Sequence, residues 1–290
     1  MWYYPLSGLI NGVTLTILGI FVFLKNKKAL PNITYFIFCF FISFWSYSYF
    51  LWQISKTSQE ALLWCQMLMA GAIFIPASYF HFVATLIGRH TEKGIRYLIN
   101  LSYLLAAVFL IFNFTPLMIL DLRPRLEFPF WPTAGPIYKY FLLYFVVYSV
   151  YGCYLLLRGA KKVGGEKRNQ FIYVFIGSAI GYLGGATNFP LWYDIEIYPV
   201  GNILSSIYVA LVGYAIVKHR LMDIRIFVSR AVAFLISYPF FLGIPFFSAW
   251  RLQPYFYGLW GLNWWLAPAG LLLFFATLAP LAYGQLRSRM

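Results

Sequence analysis

Apolar positions along this chain fall in long runs separated by short polar breaks, without the alternation of a strand or the half-polar period of a surface helix. A membrane-crossing helix needs about 20 mostly apolar residues, each rising about 1.5 Å. Nine runs reach that length, at about 4–24, 33–54, 61–87, 97–115, 137–157, 170–188, 199–217, 229–250 and 264–284. Each is predicted to be helical, because hydrocarbon offers no partner to an unpaired backbone group. The expected fold class is all-α, a polytopic transmembrane helical bundle of about nine spans. The first run lacks a basic leader and a small-residue cleavage site, so it reads as a span and not as a signal peptide.

Two of the breaks have content of their own. Thr115–Pro136 holds five prolines with charges at Asp121, Arg123, Arg125 and Glu127, and reads as two short strands around Arg-Pro-Arg that cap the helices. Asn188–Asn202 sets Asp194 and Glu196 among aromatics, where both carboxylates fit ordinary solvated loop charges. Within the runs, prolines at 76, 239, 245, 268 and 280 are expected to kink their helices.

Composition agrees with the runs: 62% of residues are hydrophobic and 10% charged, which no soluble domain of this size could solvate. The net charge of +14 is mostly a topology signal. Seventeen Lys and Arg lie after runs one, three, five and seven and in the C-terminal tail, against five on the opposite side. The positive-inside rule then predicts an outside N-terminus, a cytoplasmic C-terminus and a multi-pass protein of the inner (plasma) membrane. Membrane lipids are expected partners, and nucleic acid is not.

Tryptophan shows the converse asymmetry. Nine of ten map to the outer ends or outer loops, and only Trp45 lies deeper. An interfacial belt accounts for such a pattern, as does an aromatic-lined cavity open to the outside and suited to a small apolar molecule. Trp131, Trp192, Tyr193, Asn188 and Asn202, in or beside the two outer loops, are the candidate ligand residues. His81 joins them because a polar residue at membrane depth is costly, although a packed, hydrogen-bonded structural role explains it as well. Nucleophile, metal-hydrolase and phosphate-loop motifs are missing from the sequence. Catalytic residues, metal and cofactor are therefore expected to be none. Cys39, Cys65 and Cys153 fall inside apolar runs without metal or pairing spacing.

The most polar junction is YAIVKHRLMDIRIFVSRAV, Tyr214 to Val232, with Lys218, Arg220, Asp223, Arg225 and Arg230 between two runs. It holds a lone carboxylate and so reads as a hinge, with Asp223 pairing to Arg220 or a neighbouring loop. Arg220, Leu221, Asp223, Ile224 and Arg230 resemble the junction after the N-terminal seven-helix (7TM) membrane sensor region of bacterial sensor histidine kinases. AGPIYKYFLLYFVVY, GGEKRNQFIYVFIGSAIGYLGGATNF, YPVGN and the IPAS turn with Pro76 and Ala77 are similar to that family too, in order and spacing. The resemblance implies a sensor region over 1–225, followed at 226–290 by two additional transmembrane helices leading to a cytoplasmic output. It further implies a homodimer and a kinase domain or response regulator reached through the full-length protein, with no kinase chemistry in these residues. The expected function is detection of an extracytoplasmic or membrane-borne hydrophobic ligand. A small-molecule or lipid transporter and a membrane-embedded lipid-modifying enzyme are the rival expectations.

Overall fold

A computed structural model describes residues 3–204 together with Tyr208, Leu211, Val212 and Ala215. All lie in the first of the two units into which the chain divides, Met1–Asp223 and Ile224–Met290. Six long helices follow in order: α1 Tyr3–Lys25, α2 Leu30–Gln53, α3 Ser58–Leu86, α4 Lys93–Asn113, α5 Tyr138–Lys162 and α6 Gly165–Ala186. Each coincides with one of the first six predicted runs to within a few residues. The first five are long and apolar enough to cross a membrane. α6 opens on Glu166, Lys167, Arg168, Asn169 and Gln170 and carries several glycines, which lowers its apolar content. A short 3-10 turn, Val200–Ile203, leads into helical residues at Leu204, Tyr208, Leu211, Val212 and Ala215. The eighth and ninth predicted spans lie outside the described residues, as do Pro239, Pro245, Pro268 and Pro280.

Local chemistry sets the helix ends. Thr57 caps α3 by accepting from the Glu60 amide at 3.3 Å, while the Glu60 carboxylate accepts from the Lys56 amide at 3.1 Å. The first bond satisfies a donor that the first turn leaves open, and the second ties the residue before the cap to that turn. α2 starts with a proline in its first turn, where a missing N–H costs nothing.

The bundle is arranged around α3. α2 packs along α1 on one side and along α3 on the other, and α3 also touches α4 and α5. In the most apolar stretch of α3, 61% of residues are buried, against 28% in α4, so α3 is central and α4 peripheral. Glycines let α2 approach both neighbours. A Cβ at Gly8 would lie 2.9 Å from the Ser46 carbonyl oxygen, and one at Gly71 2.9 Å from the Trp45 nitrogen. Small residues at such crossings substitute for the hydrophobic drive that lipid does not supply. The Gly71→Ala protein is expected to lose about 1–3 kcal/mol, since backbone cannot yield as a side chain would. A thermal melt in detergent reads this directly.

Polar side chains within the helices tie them together. Thr34 and Thr85 hydroxyls meet at 2.8 Å between α2 and α3. Asn113 donates to the Gln66 carbonyl at 2.7 Å, and the Tyr144 hydroxyl reaches Ile73 and Ser102 carbonyls at 3.2 Å. Asn11 donates to the Asn202 carbonyl at 3.0 Å, and Asn202 donates back to the Ser7 hydroxyl at 3.1 Å.

Between α4 and α5 stands an antiparallel hairpin, β1 Ile119–Arg125 and β2 Phe128–Ala134. The expected hairpin is present, but its turn falls at Leu126-Glu127, after Arg-Pro-Arg. Arg125 pairs with Phe128 across the turn and Leu126 takes a positive φ of 50°. The hairpin packs on the 3-10 turn Pro190–Tyr193 and on α3.

Candidate functional site

One face of α2 sets out the site. Phe38, Ile42, Trp45, Tyr49 and Trp52 recur every three to four residues, so they share one side of the helix over about 20 Å. They border a cavity of about 100 Å³. Leu68, Met69, Ala72 and Ile75 of α3 form a second wall. Tyr138, Phe141 and Phe145 of α5 form a third, and Ser178, Gly181, Tyr182 and Gly185 of α6 a fourth. Asn188, Phe189 and Trp192 close the hairpin end, while Leu15 of α1 and Tyr208 complete the lining. More than half of these residues are aromatic, and none is charged.

The hairpin end is built from stacked rings. Trp192 lies flat on Tyr138, with centroids 4.3 Å apart and planes within 10°. Trp131, fully buried in β2, packs on Trp52 at 4.7 Å and on Phe128 at 4.8 Å. Phe128 meets Tyr4 of α1 edge-on at 4.8 Å. The Trp52 indole N–H donates to the Phe130 carbonyl at 2.8 Å, which joins the cavity wall to the hairpin.

A buried arginine fastens this cap. Arg125, only 6% exposed at its side chain, donates to the Pro132 carbonyl at 2.8 Å and to the Leu191 carbonyl at 2.7 Å. It also pairs with Asp194 at 2.7 Å. The guanidinium thereby holds β2 against the Pro190–Tyr193 turn that carries Trp192. Because Asp194 is 68% exposed, solvent screens the ion pair and the two carbonyl bonds carry most of the effect. With Arg125→Met, those acceptors lose their donor, at a cost of about 1–3 kcal/mol. Faster amide exchange confined to β2 and residues 190–195 is the expected result.

The candidate residues fall into distinct places. Asn188 and Trp192 line the cavity, and Trp131 stands behind Trp52 as the second layer of its cap. Tyr193 is 44% exposed beside Tyr138, with centroids 6.0 Å apart. Asn202 is fully buried in the link to α1. His81 lies on α3 away from the lining, its Nδ1 3.4 Å from the Tyr103 hydroxyl of α4. Lys218, Arg220, Asp223, Arg225 and Arg230 lie outside the described residues. The lining contributed by α2, α5 and α6 was not among the candidates, although Phe38–Trp52 and Tyr138–Phe145 have helical periodicity. Among the described residues no cluster of His, Cys, Asp or Glu is suited to a metal ion.

Such a chamber can hold and orient an apolar molecule, and its lining offers no acid–base pair. No curated protein and no solved structure matches the chain. A family model does match, over residues 8–225, and its subject is the N-terminal 7TM region of histidine kinase. That match spans most of the chain and coincides with a bundle of apolar helices around an internal cavity, so the protein belongs to this family and is a multi-pass membrane sensor module of histidine-kinase signal transduction.

Proposed function

We propose that this sensor module detects a small hydrophobic molecule, extracytoplasmic or membrane-borne, in the aromatic cavity beneath the hairpin. The observation that carries the reading is an uncharged, mostly aromatic chamber whose four helical walls meet inside the bundle. A ligand bound more tightly in one packing of those walls shifts the bundle toward it, and a coupling of about 1–3 kcal/mol is typical of such transitions. Lys and Arg distribution supports an orientation with the hairpin outside and the loops after α1, α3 and α5 in the cytoplasm, in the inner (plasma) membrane. In this reading residues 226–290 add two spans, completing nine, and Lys218, Arg220, Asp223, Arg225 and Arg230 form the hinge that passes the change to a kinase output in a homodimer.

Toluene, an uncharged single ring, is the probe for the chamber. In nanodiscs it is expected to raise the melting temperature of the protein in a saturable manner. Absence of any saturable stabilisation would argue against a ligand chamber. The relay has its own test. Asp223→Ala is expected to change autophosphorylation of the full-length kinase about threefold or more, within the usual range of allosteric coupling, while toluene affinity stays constant. Unchanged phosphorylation would remove the hinge role.

A further inference from the structure

Four buried polar atoms of the cavity lining have no hydrogen-bond partner: the hydroxyls of Tyr49, Tyr182 and Tyr208 and the Oδ1 of Asn188. The Tyr49 side chain is fully buried, and its hydroxyl makes no hydrogen bond. Asn188 is 7% exposed; its amide nitrogen donates to the Gly185 carbonyl at 3.1 Å, and its Oδ1 is left without a donor. The assignment of the amide follows from its neighbour. A backbone carbonyl can only accept, so the nitrogen must face Gly185 and the oxygen must be the free atom. Of the other two, the Tyr182 hydroxyl lies beside Ser149 and that of Tyr208 beside Tyr35, so each has a protein hydroxyl within reach.

An unpartnered buried donor or acceptor costs about 1–3 kcal/mol, and natural cores rarely tolerate it without a reason. Asn188 Oδ1 can be satisfied only by a donor. Tyr49 can give or take. Rings on several walls favour a flat π-system that stacks against them. A charged ligand would be desolvated with no counter-charge among the described lining residues, at a cost of several kcal/mol. The volume is also restrictive: a cavity of about 150 Å³ accommodates one benzene ring, and this one, at about 100 Å³, admits no more than one small ring, and that only with an outward shift of its walls.

We infer that the cavity is built for an uncharged aromatic of about one ring carrying a hydroxyl or equivalent O–H or N–H donor, recognised by Asn188 Oδ1 and the Tyr49 hydroxyl. This rests on the reading of the chamber as the ligand site and adds the chemistry of the ligand. Phenols satisfy every requirement. An isosteric methyl arene meets the stacking requirement and leaves both polar atoms unpaired.

The test compares phenol, toluene and benzoate by isothermal titration calorimetry on the protein in nanodiscs, with Gly185→Leu protein in identical nanodiscs subtracting lipid partitioning. Phenol is expected to bind at least about tenfold tighter than toluene, in line with one or two buried hydrogen bonds. Asn188→Leu should erase that preference, and Tyr49→Phe, which removes a single hydroxyl and leaves the ring, should reduce it about threefold or more. Benzoate should show no cavity-specific heat. Equal binding of phenol and toluene, both lost in Gly185→Leu protein, would overturn the hydroxyl requirement and leave the chamber reading standing. Benzoate bound as tightly as phenol would overturn the requirement for an uncharged ligand. Binding of all three unaffected by Gly185→Leu would overturn both readings together.

Discussion

Replacing Gly185 with leucine is expected to blind the sensor while leaving it folded. Gly185 lies in α6 and lines the cavity, and a Cβ built there meets no heavy atom within 4 Å. The space a leucine side chain would take is the space a ligand would take. Helix propensity favours the substitution by about 0.5–1 kcal/mol, because glycine loses the most backbone freedom on folding. The melting temperature of the unliganded protein should therefore hold or rise. Affinity for a one-ring probe should fall at least about tenfold, the equivalent of about 1.4 kcal/mol. In the full-length kinase, output should stop responding to the probe, in either a fixed-on or a fixed-off state. Gly181→Leu is the less informative change, because a Cβ there comes within 3.3 Å of Tyr208. Retained probe binding in well-folded Gly185→Leu protein would place the ligand elsewhere.

Trp131→Ala should have the largest effect on stability. The indole is fully buried between Trp52 and Phe128, and Phe128 in turn meets Tyr4. Truncation of a buried tryptophan costs about 3–5 kcal/mol through lost contacts and the void left behind. Here the void opens directly behind Trp52, so the damage passes to the cavity wall. The expected results are a lower melting temperature, accelerated exchange across both strands and weaker probe binding. Trp131→Phe, which keeps an apolar ring in place, should recover most of each. A drop in stability without any change in probe binding would separate the hairpin from the chamber.

Much of the bundle was legible because membrane helices announce themselves by length. The six helices and the hairpin follow from apolar runs and from prolines clustered in one loop. The cavity was legible only at its rim. Trp131 and Trp192 were recognisable because they sit in loops, where aromatics are conspicuous. Phe38, Tyr49 and Tyr138 were hidden in helices with aromatics on lipid-facing sides too, such as Phe40 and Tyr140, which are 54% and 57% exposed. When both faces are apolar, periodicity cannot say which one faces inward. Tryptophan position fitted a headgroup belt equally well. Burial decides for Trp52, Trp131 and Trp192, which are 5% exposed or less and stack within the protein. Arg125, one of four charges in its loop, carries no mark of burial in the sequence. Its burial depends on carbonyls of Pro132 and Leu191, and nothing in the local sequence links it to the latter, 66 residues away.

The pairing of Asn202 with Asn11 and Ser7 joins positions 191 and 195 residues apart. A ribosome adds about 5–20 residues per second, so α1 is made about 10–40 s before the segment that locks against it. For that interval the growing chain is an open arc of helices, and its seam can be joined only when the last part of the sensor region emerges. Folding intermediates of this protein should therefore share one exposed edge, on α1, and quality control that recognises an unfinished membrane bundle would have that edge as its target.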